Sequence, residues 1–259
     1  EYARGRTPNP CVRCNANTKF RDLLRRGRAL GCDGIATGHY ARIGEGLGGA
    51  PSIFRSVDEA KDQTYFLWGL PPELVPLLHF PLGVMTKTAV RARARELGLA
   101  TADKPESQEI CFVPAGDYRE FVRRRLPSGH AAFEPGRIVT ESGEQVGEHP
   151  GYAGFTVGQR KGLGGGVKEP RFVVEIRADR GEVVVGPAEA LLAPAMRVED
   201  ASWLDRQAPG PGSLVTVQIR HRAPAVPATI DSVEPGGTAF RVRFQEPQKA
   251  VTPGQSAAI

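Results

Sequence analysis

The sequence predicts an α/β unit in its first half and β structure in the remainder, and two patterns support this division. Up to Leu126, apolar residues recur every three or four positions, which is typical of helices that pack one face against a core. Beyond Pro127 this periodicity ends, and short alternating stretches separated by Gly and Pro replace it. We therefore expect three units, over residues 1–126, 127–190 and 191–259.

The first unit is predicted to begin with a helix that leads into a short buried strand. Asn15 is placed to be its N-cap and Gly31 to end it. Four apolar residues share one face of this helix: Phe20, Leu23, Leu24 and Leu30. The apolar residues 35–37 follow and lead into Gly38 and His39. Because ligands gather at the carboxyl ends of parallel strands, we expect Gly38 and His39 to lie at a ligand site.

Two further helices are predicted in this unit, over about 87–97 and 117–126. In the first, Val90, Ala94 and Leu97 are expected to face inward, and Gly98 is placed to end the helix.

The second half is predicted to consist of short strands. Residues 172–185 are interpreted as a hairpin that turns at 179–181, and residues 240–244 alternate most clearly between apolar and polar. Several short strands at this spacing indicate a small barrel. The glycine-rich stretch 158–170 is interpreted as a loop, because a dinucleotide fingerprint needs a preceding strand and a following helix.

The chain is mildly basic, with 34 Lys and Arg against 29 Asp and Glu and a net charge of +5. Basic residues cluster at 91–96, 119–126 and 219–222. Such clusters attract phosphate and indicate a nucleic-acid partner, although solvated helix faces and a strand edge explain them equally well. No apolar run approaches the ~20 residues that span a bilayer, so we expect no membrane partner.

Cys11 and Cys14 form a CxxC pair, which could be half of a zinc site or a redox pair. A zinc site needs two further ligands, but the sequence has no second CxxC and its five histidines are scattered. A thioredoxin-like pair should follow a strand, whereas this pair follows two prolines and precedes the predicted helix. A thiol near a helix N-terminus has a lowered pKa, so we expect thiolate to be more available here.

The other two cysteines have different surroundings. Cys111 lies between Ile110 and Phe112, as a small buried hydrophobe would, yet the polar stretch before it and Pro114 after it indicate a loop. Cys32, at the end of the predicted helix, is interpreted as structural. Four unevenly spaced cysteines are not typical of a secreted disulfide scaffold, so we expect a cytoplasmic protein.

Six blocks occur in order along the chain: GRTPNPCVRCN, IATGHYAR, KDQTYFLWGL, ESQEICFV, GQRKGLG and TPGQSA. Together they closely resemble the tRNA-specific 2-thiouridylase family, over essentially the whole chain. The resemblance implies an ATP-binding PP-loop domain (adenine nucleotide α-hydrolase-like), a small central β-rich domain and a C-terminal β-barrel.

The family's phosphate-binding loop, of the form SGGxDS, is absent from these residues. The chain also starts without Met and ends abruptly at GQSAAI. We therefore expect residues 1–126 to be the remainder of the PP-loop domain and the barrel to be cut short. The same observation predicts that this polypeptide alone is inactive in adenylation.

The resemblance implies ATP-dependent 2-thiolation of the wobble uridine of tRNA, with ATP and Mg²⁺ as cofactors. AMP is transferred to the C2 oxygen, and sulfur arrives as a persulfide on Cys111, delivered by a sulfur-relay protein or a cysteine desulfurase. Cys14 then attacks the persulfide, releases sulfide and leaves a Cys14–Cys111 disulfide.

Cys11 departs from the family pattern, in which many members carry an acidic residue at this position. Three cysteines, Cys11, Cys14 and Cys111, could instead hold a [4Fe–4S] cluster whose fourth iron binds sulfide. The sequence leaves the persulfide route and the cluster route open.

The resemblance also implies contacts with nucleotide and RNA. Gly38 resembles the backbone contact to ATP. The residues that match tRNA contacts are Asn9, Pro10, Cys11, His39, Lys61, Asp62, Gln63, Arg220, His221 and Gln255. Among these, the first three would line the flipped target base. His39 could instead be a satisfied histidine at a strand end.

Two rival functions are open from the sequence. One is a non-catalytic RNA-binding module, and the other is a different ATP-dependent adenylating enzyme of the same fold. Fold alone does not separate these from a thiolating enzyme, whereas the CxxC pair and Cys111 favour thiolation.

Overall fold

The computed structural model describes residues 1–105, 111, 113, 117–163 and 171–259, and only the backbone of Leu47. Three hydrophobic cores follow one another along the chain. No helix in these described ranges is long and apolar enough to cross a membrane. Both interpretations of Cys111 rested on its neighbours, and three of these lie outside the described residues: Ile110, Phe112 and Pro114. Residues 164–170 of the glycine-rich stretch also lie outside them.

The chain's first long helical run contains the CxxC pair. It comprises α1 (Pro10–Arg13), a π-helical turn (Cys14–Lys19) and α2 (Phe20–Ala29). The predicted start at Asn15 is therefore wrong. Pro10 occupies the first helical position, where its missing N–H costs nothing and its fixed φ suits the helix.

The buried face of this run differs in part from the prediction. Phe20 and Leu24 are buried, whereas Leu23 and Leu30 are exposed, Leu30 to 82%. Asn15 lies inside the run, and its buried side-chain amide donates to the carbonyl of Phe66 at 3.1 Å. The predicted end is confirmed, because the helix ends at Ala29 and Gly31 follows with φ +77°.

Two small sheets complete the centre of the first unit. β1 (Ile35–Ala36) pairs in parallel with β4 (Leu78–His79), as predicted for a strand that follows a helix. β2 (Ala41–Glu45) pairs antiparallel with β3 (Pro51–Arg55). The core between them and α2 includes Phe20, Leu24, Ile35, Leu67 and Leu78.

The two later helices are shorter or less buried than predicted. α3 spans Lys87–Glu96, and Thr86 caps it by accepting from the Ala89 amide at 3.3 Å. Leu97, expected to face inward, is 58% exposed. α4 spans only Tyr118–Arg123, with Asp117 as its N-cap.

The middle unit is a four-stranded sheet in the order β6-β5-β8-β7. Its strands are β5 (Gly136–Thr140), β6 (Gln145–His149), β7 (Phe172–Arg177) and β8 (Glu182–Gly186). β7 and β8 form the predicted hairpin, which is confirmed, while β5 and β8 run parallel.

The C-terminal unit is an antiparallel sheet in the order β10-β11-β12-β9. Its strands are β9 (Leu192–Val198), β10 (Leu214–Val217), β11 (Val226–Val233) and β12 (Phe240–Lys249). In β12, Phe240, Val242 and Phe244 are buried while Arg241 and Arg243 are exposed, so the predicted alternation is confirmed.

Short 3₁₀ turns connect these elements. They lie at Tyr2–Arg4, Leu47–Gly49, Glu59–Lys61, Thr64–Phe66, Pro72–Leu77, Pro81–Val84, Ala131–Phe133, Tyr152–Gly154 and Ala188–Leu191.

Candidate active site

The segment before the CxxC helix is fixed where all three units meet. The Thr7 amide donates to the carbonyl of Pro253 at 2.8 Å, and the Thr7 hydroxyl donates to that of Thr156 at 3.1 Å. The side-chain amide of Gln255 donates to the carbonyl of Thr7 at 2.9 Å. One residue of the first unit therefore bonds to both β units.

Three thiols share one neighbourhood at the start of the helical run. Cys11 and Cys14 are half-buried and Cys111 is exposed. Burial raises the pKa of Cys11, and the nearby thiols of Cys111 and Cys14 raise it further, against the opposing charge of Lys19. Because such charge effects fade with distance, Cys111 lies within electrostatic range of Cys11, although it is 100 positions away in sequence.

The raised pKa of Cys11 reverses the expectation from the helix N-terminus. A helix N-terminus favours thiolate, but here desolvation and two neighbouring thiols outweigh it. At neutral pH the Cys11 thiol is therefore held in its protonated form. The prediction that thiolate is more available at this position is wrong for Cys11.

The cysteines do not form a metal site as they are placed. All four are free thiols. Across the part of the chain that the structure describes, which includes Cys111, no three His, Cys, Asp or Glu side chains are grouped so that they could hold a metal ion. A [4Fe–4S] cluster held by Cys11, Cys14 and Cys111 stays a prediction.

The end of β1 packs against the helical run. His39 is 9% exposed, and its ring lies 5.4 Å from the ring of Phe20 and 5.9 Å from that of Phe80, between centroids. The hydroxyl of Thr37 lies 2.8 Å from His39 Nδ1. Burial lowers the pKa of His39 to about 4, and the charge of Lys19 adds to this effect. His39 is therefore neutral at pH 7.

Gly38 precedes this histidine and is exposed. A Cβ at Gly38 would meet only Leu82, at an ordinary contact distance of 3.5 Å. The protein itself gives no steric reason for glycine here. A nucleotide that approaches the backbone closely would supply one.

The KDQ residues divide between the protein interior and the surface. The Asp62 carboxylate is 6% exposed and accepts from the amides of Ser56, at 2.8 Å, and Thr64, at 3.1 Å. Gln63 makes two hydrogen bonds to the backbone of Tyr40. Its side-chain oxygen accepts from the Tyr40 amide at 3.0 Å, and its backbone amide donates to the Tyr40 carbonyl at 2.9 Å. Asp62 and Gln63 therefore shape the loop, and Lys61 is only half-buried.

The C-terminal sheet presents its predicted pair beside the same loop. The His221 ring lies 4.4 Å from the ring of Phe66, between centroids. Burial lowers the pKa of His221, as does the charge of Arg222, while Asp62 opposes them. Arg220 is exposed, and its guanidinium lies within 3.4 Å of the Lys249 carbonyl.

A cleft of about 990 Å³ separates the first unit from the C-terminal sheet. Its lining includes Asn9, Arg13, Arg55, Trp68, Trp203 and Gln255. Cys11 and Cys14 do not line it, so it opens on a different side of α1 from the thiols. Carboxylates line the cleft too, and Arg13 is paired with one of them, Asp200, at 3.2 Å.

Comparison with known proteins identifies the family. The chain is 47% identical to the tRNA-specific 2-thiouridylase MnmA of Geobacter metallireducens over 259 residues, which cover all of this chain and 69% of the relative. The corresponding relative from Chloroflexus aurantiacus is 47% identical over 258 residues, with 100% and 70% covered. That from Acidithiobacillus ferrooxidans is 45% identical over 257 residues, with 99% and 72% covered. The chain belongs to the tRNA-specific 2-thiouridylase family.

Three family domains match the chain in order. A "tRNA methyl transferase HUP domain" matches residues 1–115, a "tRNA methyl transferase PRC-barrel domain" matches 119–187, and an "Aminomethyltransferase beta-barrel domain" matches 194–259. The resemblance inferred from the six sequence blocks is confirmed. The predicted fold class, α/β followed by two β units, is confirmed as well.

Several residues that build the site were missed from the sequence. Thr7 and Tyr65 lie inside the GRTPNPCVRCN and KDQTYFLWGL blocks, but nothing in their spacing indicated a role. Lys19 acts electrostatically on both Cys11 and His39. An isolated lysine in a basic helix carries no sequence signal for that.

Proposed function

We propose that this family member acts in the ATP-dependent 2-thiolation of the wobble uridine of tRNA. The observation that carries the proposal is that Cys14 and Cys111 both lie within electrostatic range of Cys11, although Cys111 comes from a distant segment. A structural role would not need three free thiols from two distant segments in one place.

The reaction needs an activated oxygen and a sulfur nucleophile. The C2 oxygen of uridine is a poor leaving group, and transfer of AMP from ATP makes it a good one. ATP would bind with Mg²⁺, which supplies charge neutralisation for the phosphates, and the exposed backbone at Gly38 would contact the nucleotide.

Sulfur transfer then balances as a thiol–persulfide exchange. A sulfur-relay protein or a cysteine desulfurase loads Cys111 as a persulfide. The Cys14 thiolate attacks the Cys111 sulfur, a Cys14–Cys111 disulfide forms, and the terminal sulfur leaves as hydrosulfide with the bonding electrons. Hydrosulfide attacks C2, AMP leaves, and an external thiol reduces the disulfide. Cys11 remains protonated beside them and takes no part in this exchange.

The interdomain cleft supports the RNA side of the proposal. Asn9 and Gln255 line it, and Arg13, which is paired with Asp200, and Arg55 lie in the same cleft. A wobble base that has left its stack would lie beside Pro10 and Cys11, on the side of α1 that carries the thiols, and the cleft would hold adjacent RNA. Phosphates of the anticodon stem would meet further cationic or polar groups: Lys61, Arg220 and His221.

His39, Asp62 and Gln63 have a different part in the proposal. Their side chains are largely used within the protein. We propose that they support tRNA binding by holding the strand end and the loop around Lys61.

The test is mass analysis of the tRNA anticodon loop after incubation with ATP and a persulfide donor. It should be run on the 259-residue chain and on any longer product of the same gene, with the Geobacter metallireducens relative as a positive control. We expect replacement of one oxygen by sulfur, lost in Cys14→Ser and Cys111→Ser but kept in Cys32→Ser. Unmodified tRNA from every product of the gene, beside an active control, would contradict the proposal.

The same preparations separate the persulfide route from the cluster route. A protein freed of iron that still thiolates tRNA supports the route through the thiols. Iron-dependent activity with a broad visible absorption, lost in Cys11→Ala, would instead establish the cluster.

A further inference from the structure

We propose that the loop Thr252–Ser256 of the C-terminal unit, together with Tyr65, positions the CxxC helix. These residues hold the segment Thr7–Asn9, which leads directly into α1. The inference deepens the function proposed above, because its importance for catalysis rests on the role of the thiols. The physical claim itself concerns only how the thiols are held.

The first set of contacts fixes the backbone of Thr7 on both sides. Its amide donates to the Pro253 carbonyl at 2.8 Å, and its carbonyl accepts from the Gln255 side chain at 2.9 Å. A peptide held through both its donor and its acceptor has little freedom to rotate. Gln255 is therefore engaged in a contact within the protein as well as lining the cleft.

The second set fixes Asn9, the residue at the N-cap of α1. Its side chain makes no cap hydrogen bond and instead lies beside the hydroxyl of Tyr65, where it opposes the rise in the pKa of Tyr65. That hydroxyl donates to the Ser256 carbonyl at 2.7 Å. Burial raises the pKa of Tyr65 to about 12, so the hydroxyl keeps its proton at neutral pH.

The loop is shaped for this close approach. Gly254 has φ +91°, a conformation that side chains rarely adopt. A Cβ at Gly254 would lie 3.0 Å from the Thr7 amide nitrogen and 3.1 Å from the Cβ of Arg6. Glycine is therefore required both for the turn and for the distance between the two segments.

These contacts set the position of Cys11 because little chain lies between. α1 begins at Pro10, whose ring fixes φ, and Cys11 is the next residue in the first turn. Movement of Asn9 would therefore be transmitted to Cys11 and through the helix to Cys14. The C-terminal unit, distant in sequence, thus determines where the thiols lie relative to Cys111.

The test uses the thiols themselves as reporters. Tyr65→Phe removes the hydroxyl and keeps the ring, and Gln255→Glu removes the donor at nearly constant size. Tyr152→Phe is the matched control, because its hydroxyl also donates to a backbone carbonyl of the N-terminal segment, that of Ala3, at 2.9 Å. Alkylation at fixed pH is followed by mass spectrometry, and the rate at Cys11 is divided by the rate at exposed Cys32 in the same molecule.

Loss of one hydrogen bond that holds the segment should make its local opening about fivefold more frequent. We therefore expect the Cys11 to Cys32 rate ratio to rise about fivefold in Tyr65→Phe, in Gln255→Glu or in both. The ratio in Tyr152→Phe should stay at the wild-type value. Hydrogen exchange of a peptide covering residues 6–12 should accelerate in the same variants.

An unchanged ratio in both test variants overturns the proposal. An equal rise in all three variants also overturns it, because general loosening would then be the cause. If Tyr65→Phe does not fold, Gln255→Glu decides the outcome alone. The readout needs neither tRNA nor ATP, so it is independent of the proposed function. Thiolated tRNA with unchanged Cys11 to Cys32 rate ratios refutes only this inference. Altered rate ratios without thiolation refute only the proposed function.

Discussion

Acidification should destabilise the first unit through one buried histidine. The His39 ring is neutral and packed between Phe20 and Phe80, with a pKa of about 4 against an ordinary 6.5. Because its pKa is lowered in the folded state, the unfolded chain binds the proton more readily. The stability that His39 contributes is full above pH 6.5 and is lost as the pH falls toward 4.

The size of the loss follows from these two pKa values. At pH 5 the histidine of the unfolded chain is almost fully protonated, while that of the folded chain is mostly neutral. Between pH 7 and pH 5 the free energy of unfolding therefore falls by about 2 kcal/mol from this group alone. The equilibrium constant for unfolding therefore rises about 30-fold.

The assay compares the wild type with His39→Gln, which cannot take up the proton. Hydrogen exchange is measured for a peptide that contains β1, at pH 7 and at pH 5, because it reports on the unit that holds His39. His149 and His221 also have lowered pKa values, but they contribute equally in both proteins. We expect the wild type to lose about 2 kcal/mol more protection than the variant. Equal losses in the two proteins would refute the reasoning.

Three further predictions concern the loops around the site. Gly254→Ala should lower the free energy of unfolding by about 1–3 kcal/mol in denaturant titration. The control is Gly143→Ala, which shares a positive φ but has open space around it and should therefore lose less. Equal losses would show that the contact with Thr7 is unimportant. Asp62→Ala should lower the free energy of unfolding by about 1–3 kcal/mol because the amides of Ser56 and Thr64 lose their acceptor. Glu59→Ala on the exposed surface should change thermal stability little. Lys61→Ala should weaken tRNA binding and reduce the slope of log affinity against log salt by about 1, measured by filter binding; an unchanged slope would contradict a phosphate contact.

Local patterns in the sequence predicted the elements whose burial depends on near neighbours. Successive side chains of a strand point to opposite faces. The apolar residues Phe240, Val242 and Phe244 therefore share one face of β12, and the sequence predicted that this face is buried. The predicted start at Asn15 is wrong because Pro10, which suits the first helical position, already begins the helix. Leu30 was assigned to the core although it follows the last helical residue, where the periodicity no longer applies.

The sequence predicted those site residues whose chemistry is evident from their type and their near neighbours in sequence. The CxxC pair is visible within the block GRTPNPCVRCN, and the family resemblance linked it to Cys111. The contacts that hold the pair join residues 191 and 248 positions apart, at Tyr65–Ser256 and Gln255–Thr7. No periodicity spans such separations. The raised pKa of Cys11 likewise depends on packing, which outweighed the helix terminus.

The bond between Thr7 and Pro253 has a consequence for biosynthesis. A ribosome delivers the sulfur-bearing helix well before Pro253, the residue that anchors its entrance. During elongation the thiols would remain loosely held and open to oxidants and to stray electrophiles. The reactive centre is therefore fixed only once the loop Thr252–Ser256 has been made, and a nascent product that stops short of this loop lacks the anchor.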